Sequence, residues 1–222
     1  MGDDAAKTWI KFCGMMREED IAAVNRILPD YCGFIFAKGR RRTITAQQAS
    51  RFYRLLDRRV KAVGVFLDDP AERIEALAAE RIIDVIQLHG AEDDAFITNI
   101  KEKTGLPVIK AFPVRTERDL EAAARSPADH VLLDNGNGGT GKRFDWSLIR
   151  GFDRPFFLAG GLGPDNLREA LEEISPWAVD LSSGIETDGV KDERKMLQCA
   201  QLLREGGSAA GTADRKEHRY AD

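Results

Sequence analysis

Cysteine is scarce in this chain: three in 222 residues, Cys13, Cys32 and Cys199. An odd count with no metal-type spacing argues against a disulfide framework or a zinc site. Reduced thiols in the cytoplasm are the simplest expectation. An excess of basic charge is also missing. Lys and Arg number 33 against 37 Asp and Glu, a net charge of -4, so no nucleic-acid partner is expected. No apolar run approaches the ~20 residues of a membrane span, so no membrane partner is expected either. The first residues, Met1 to Lys7, are acidic and polar and carry no signal-peptide core. What is present is ordinary globular material. Hydrophobic residues make up 43% and charged residues 32%, enough for the core of one large α/β domain.

The apolar residues fall into a regular alternation. Short β-rich runs stand at Trp9–Cys13, Cys32–Phe36, Val60–Phe66, Val85–His89, Val108–Phe112, Val131–Leu133, Pro155–Ala159 and Ala178–Ser182. Amphipathic helical stretches follow them, near 18–28, 46–56, a segment opened by Pro70, 93–103, 117–124 capped by Thr116, one beginning near Asp145, 164–174 and 192–203. Near-continuous apolar strands alternating with helices mean a parallel sheet covered by helices. Eight units of about 25 residues fit a compact (β/α)8 barrel. The fold class expected is therefore α/β, a single TIM barrel over 8–205. Residues 206–222 change to Gly, Ser, Ala and charge without apolar period, as a disordered tail does.

In such a barrel the chemistry lies at the C-terminal ends of the strands. Strand one ends at Cys13, strand two leads into Arg40-Arg41-Arg42, strand four ends at His89 and strand six at Asp134. Strands seven and eight end in Gly160-Gly161-Leu162 and Ser182-Ser183-Gly184. Small residues there leave backbone N–H groups free for an anion, where barrels often hold phosphate. Each residue also has a plainer use. Cys13 can be a small core hydrophobe, Asp134 a turn former, His89 a satisfied barrel histidine, and the arginines solvated charge. As a base, Cys13 would need its thiol, ordinarily near pKa ~8.5, made more acidic. As an acid, Asp134 would need its carboxyl pKa raised. One inward Arg would suit a carboxylate bidentately.

Gly136-Asn137-Gly138-Gly139-Thr140-Gly141 matches G-x-G-x-x-G after a strand. A dinucleotide site wants those glycines to open a helix directly, with an acid about 20 residues on at a strand end. Here Lys142-Arg143-Phe144 intervene, and the next strand ends in Ala159-Gly160. The glycines read better as a loop over a ligand.

Taken together, the blocks resemble the phosphoribosylanthranilate isomerase family of tryptophan biosynthesis. They are Ile10-Lys11-Phe12-Cys13-Gly14, Gly33–Phe36, Gly64–Phe66, Gln87–Gly90, Leu133-Asp134 through Gly138–Gly141 to Trp146, Ala159–Leu162, and Val179–Glu186 with Lys191-Asp192. The resemblance implies an Amadori rearrangement of a small-molecule substrate, phosphoribosylanthranilate, to 1-(2-carboxyphenylamino)-1-deoxyribulose 5-phosphate. It implies Asp134 as general acid and Cys13 as general base. It also implies Arg42 on the anthranilate carboxylate and the backbone of Gly160, Gly161, Leu162, Ser183 and Gly184 on the phosphate. Asp180 and His89 match polar pocket positions. No metal or cofactor is implied, and the protein is expected to be a monomer or a homodimer.

The sequence departs from the family at Met15-Met16, where a Thr is usual, and at Arg40-Arg41, where Ser-Pro is usual. Arg42 is preferred over its neighbours by its distance from Gly33 and Phe34. Two other readings carry less. Another phosphosugar barrel enzyme, of epimerase or indole-glycerol-phosphate synthase type, would want paired acids, metal ligands or a Lys acid at its strand ends. A non-catalytic phosphate-binding barrel would make Cys13 and Asp134 dispensable.

Overall fold

The structure is a computed structural model that describes residues 7–134 and 146–206. Eight parallel strands close a barrel in sequence order. They are β1 (Trp9–Cys13), β2 (Tyr31–Ile35), β3 (Lys61–Phe66), β4 (Val85–Leu88), β5 (Val108–Pro113), β6 (His130–Asp134), β7 (Phe156–Leu158) and β8 (Ala178–Leu181). The helices are α1 (Glu18–Ile27), α2 (Ala46–Leu55), α3 (Ala71–Ala79), α4 (Asp94–Thr104), α5 (Glu117–Arg125), α6 (Leu167–Ile174) and α7 (Glu193–Gly206). Closure comes from β1 on β8, which sets Lys11 abreast of Asp180.

Side chains alternate inward and outward along each strand, and this divides the apolar residues into two cores. The outward set, with Phe12, Phe34, Ile86, Leu133 and Val179, packs under the helices. The inward set fills the barrel with Tyr31, Val63, Val85, Ile109, Leu132, Phe157 and Ala178. At the floor, Trp177 stacks on His130 with ring centroids 4.6 Å apart and meets Phe157 edge-on at 5.2 Å. Burial pulls the His130 pKa down to about 4, so its ring is neutral among these aromatics. The same inward parity, nearer the C-terminal rim, carries Lys11, Cys13, Gln87, Asp134 and Asp180, all buried. An apolar floor thus supports a polar layer at the end where barrel chemistry belongs.

Some elements differ from the sequence expectation. The sixth connection holds a single 3-10 turn, Trp146–Ile149, rather than a helix, among the described residues. Gly151 at φ +81° ends the turn, and Pro155 stands just before β7. The helix after β7, α6, starts at Leu167 rather than 164, because the Asn166 side chain accepts from the Gly163 N–H at 2.9 Å and makes a turn of the segment before it. Between β8 and α7 lies an unexpected hairpin, β9 (Glu186–Thr187) and β10 (Val190–Lys191). Its turn is Asp188-Gly189, both at positive φ. That Asp-Gly pair is a two-residue hairpin signal present in the sequence. The glycine fingerprint and the 207–222 tail lie outside the described residues.

Phe157 has no solvent exposure and touches the rings of Tyr31, His130 and Trp177. Phe157→Ala is expected to lower unfolding free energy by about 3–5 kcal/mol, measured by urea denaturation. A loss below about 1 kcal/mol would mean that the aromatic floor is not what holds the barrel interior.

Candidate active site

Strand β6 delivers Asp134 to the barrel mouth with its side chain buried. Its Oδ2 lies 3.5 Å from Nε2 of His89, which follows β4 directly. The His89 Nδ1 is 2.9 Å from the Gln87 amide nitrogen. His89 thus lies between the Gln87 amide at Nδ1 and the Asp134 carboxyl at Nε2. Among the described residues, the buried Oδ1 of Asp134 has no hydrogen-bond partner. That oxygen is left available to a ligand at the barrel mouth.

Cys13 ends β1 and is also buried. Its register partner is Gly33, and a Cβ built there would stand 2.7 Å from the Cys13 sulfur. A glycine at 33 is what gives the sulfur its place over β2. Ser182 Oγ donates to the Cys13 carbonyl at 3.1 Å and ties β1 to the end of β8. Two residues earlier on the same inward face, Lys11 Nζ meets Asp180 Oδ1 at 2.8 Å with no solvent exposure. Burial pushes the Cys13 thiol pKa up. The Lys11 ammonium opposes this, Asp180 reinforces it, and Lys191 opposes it more weakly.

The arginine cluster separates by environment. Arg40 and Arg41 are exposed, whereas Arg42 is half-buried and lays its stem over Gly14, next to Cys13. The Arg42 guanidinium grips Glu186 with Nε to Oε1 at 2.6 Å and Nη2 to Oε2 at 3.2 Å. Arg41 reaches the same carboxylate and the Gly189 carbonyl. Lys191 Nζ binds Glu186 Oε1 and the Ser182 carbonyl, each at 2.9 Å. Burial works against the charge of Glu186, but hydrogen bonds from Arg42, Lys191 and Arg41 outweigh it and lower its pKa to about 2. Three cations around one carboxylate leave positive charge at the mouth, which favours an anionic ligand.

The loops after β7 and β8 run against each other. A Cβ at Gly184 would lie 2.0 Å from the Leu162 carbonyl oxygen, and one at Gly163 would be 3.0 Å from the Gly184 oxygen. Gly160 and Gly161 take φ +97° and +70°, open to glycine without strain. Asn166 pins the first loop by donating to the Gly161 carbonyl at 3.0 Å. The five residues expected to face phosphate are therefore brought to one side of the mouth.

Cys13, His89, Asp134 and Asp180 all lie toward the C-terminal end of the barrel, His89 beside Asp134 and Arg42 beside Cys13. Sequence reasoning gave no role to Glu186, Lys191, Gln87 or Lys11 in this layer. For Lys11 and Gln87 the usable signal was a polar residue at an inward position of an otherwise apolar strand. For Glu186 and Lys191 it was the Asp188-Gly189 turn, which sets them across a hairpin.

A family model described as N-(5'-phosphoribosyl)anthranilate (PRA) isomerase matches residues 10–201. The N-(5'-phosphoribosyl)anthranilate isomerase of Endomicrobium trichonymphae is 46% identical over 199 residues, which is 88% of this chain and 98% of that protein. The solved phosphoribosyl anthranilate isomerase of Thermus thermophilus superposes with a TM-score of 0.82 at 34% identity, over 89% of this chain and 99% of the other. A solved phosphoribosyl anthranilate isomerase in complex with reduced 1-(o-carboxyphenylamino)-1-deoxyribulose 5-phosphate gives 0.79 at 34% identity, over the same shares.

Gly33→Ala is expected to displace the Cys13 sulfur and to cost about 1–3 kcal/mol by overpacking between β1 and β2. Urea denaturation reads the second effect and a crystal structure of the variant the first. An unmoved sulfur at unchanged stability would show that Gly33 does not set its position.

Proposed function

The chain belongs to the N-(5'-phosphoribosyl)anthranilate isomerase family, and on that premise we propose which of its residues carry the reaction. The activity is the Amadori rearrangement of N-(5'-phosphoribosyl)anthranilate to 1-(2-carboxyphenylamino)-1-deoxyribulose 5-phosphate, a step of tryptophan biosynthesis. It moves protons within one molecule and ends with as many electrons on carbon as it began.

In this reading Asp134 protonates the ribose ring oxygen. The C1–O bond breaks, and the nitrogen lone pair forms the protonated Schiff base. Cys13, as the thiolate, takes the C2 proton, and the C2–H electron pair moves to give the enolamine. Tautomerisation then places a proton on C1 and leaves the ketone at C2. The unpartnered, buried Oδ1 of Asp134 at the rim is the observation that carries the acid role. After proton transfer, His89 supplies a donor on the other oxygen, since its Nε2 faces Oδ2 at 3.5 Å.

Binding follows from charge. Arg42 takes the anthranilate carboxylate, supported by its half-buried stem against Gly14 and by the cation surplus around Glu186. The backbone of Gly160, Gly161, Leu162, Ser183 and Gly184 takes the phosphate, and His89 and Asp180 line the polar pocket between the two anion sites. The chemistry needs proton transfer alone and calls on no cofactor or metal. Cys13, Cys32 and Cys199 are free thiols, which supports a reducing, cytoplasmic setting. No helix among the described residues is long and apolar enough to cross a membrane.

Anthranilate fluorescence follows substrate consumption directly. Asp134→Asn and Cys13→Ser are each expected to lower kcat by about two orders of magnitude or more with the fold intact by circular dichroism. Near-parental turnover in both would remove the acid–base assignment. Arg42→Ala is expected to raise KM more than Arg40→Ala; the reverse order would give the carboxylate to the wrong arginine.

A further inference from the structure

Lys11 heads the fully buried side chains by size, with no exposure at all, and the steps above give it no part. A buried ion pair such as Lys11–Asp180 is a poor stabiliser. Apolar residues of the same volume usually do as well or better, because neither charge must then leave water. The neighbouring interior positions Tyr31, Val63 and Phe157 show that apolar side chains fill this barrel.

We propose that Lys11 is a positioning residue that holds the Cys13 sulfur as the thiolate, with Asp180 fixing the Lys11 ammonium across the β1–β8 seam. The inference rests on Cys13 being the base. Lys11 and Cys13 share the inward face of β1 two residues apart, and Lys11 stands abreast of Asp180 in the register. An ammonium has three donors. One reaches Asp180 Oδ1 at 2.8 Å, which leaves others for the sulfur.

The other groups near the sulfur are less suited to this part. Lys191, from β10, already binds Glu186 and the Ser182 carbonyl and acts on the Cys13 thiol more weakly than Lys11 does. Cys32, on the outward face of β2, is itself a thiol that burial pushes up and keeps neutral. Asp180, from β8, is an anion and works against a thiolate. Lys11 is thus the stronger of the two cations acting on the sulfur, and burial, which would otherwise remove its charge, is outweighed by Asp180 and Cys13. Before proton transfer the ammonium lies between two anions. Once Cys13 has taken the C2 proton, it is paired with Asp180 alone, so its charge persists through the step.

The test removes the Lys11 charge without stranding its partner. Asp180→Asn is compared with Lys11→Met/Asp180→Asn. In each, the ionisation of Cys13 is followed by ultraviolet thiolate absorbance, taken as the difference from the matching Cys13→Ala protein. The double variant is expected to ionise Cys13 with a midpoint higher by about one pH unit or more. Coincident midpoints would overturn the proposal for Lys11. The rising limb of kcat/KM against pH is expected to move with the absorbance midpoint. A midpoint that moves while the limb stays would instead overturn Cys13 as the base. A structural cross-link between β1 and β8 would move neither.

Discussion

The seam between β1 and β8 is the constraint on which the molecule depends. It closes the sheet and removes both edges, and parallel pairing there puts residues 169 positions apart into contact at 2.8 Å. Without that seam, Cys13 and Asp180 would be at opposite edges of an open sheet. With it, the first and last strands supply one continuous polar layer, and the Ser182 hydroxyl on the Cys13 carbonyl locks the layer at its rim.

Barrel geometry then sorts the chemistry by strand parity. Inward positions near the floor are apolar and tightly packed, with the His130 ring held neutral among aromatics. Inward positions near the mouth hold a thiol, an ammonium, two carboxylates and an amide. Polar groups are expensive in such a place unless paired. Most here are paired, and the exceptions are Asp134 Oδ1 and Gln87 Oε1.

The mouth is shaped by contacts that only small residues permit. Gly33 yields to a sulfur, Gly14 to an arginine stem and Gly184 to a carbonyl. Each lets a neighbour approach to a distance that a side chain would forbid. The β9–β10 hairpin adds the other half of the frame. It carries Glu186 and Lys191 over the β2–α2 loop, and Glu186 orders Arg42 through a bidentate grip. The result is a mouth where a cluster of cations adjoins the glycine backbone of the loops after β7 and β8.

Much of this was legible in the chain. The alternation of apolar runs and amphipathic stretches dictates eight strands, because local hydrophobic period reports secondary structure directly. Strand ends named Cys13, His89, Asp134, Gly160-Gly161 and Ser183-Gly184, since barrel function sits there, and the ordered motif blocks pointed to the family. Local sequence misled at Trp146–Ile149, where the pattern allowed a helix that Gly151 ends. It was under-read at Asp188-Gly189, where a hairpin was signalled. Which arginine turns inward, which carbonyl Gly184 must clear and which anion Lys11 meets were decided by tertiary structure alone. Those are contacts between strands and loops far apart in sequence, and no local period encodes a distance across a closed barrel.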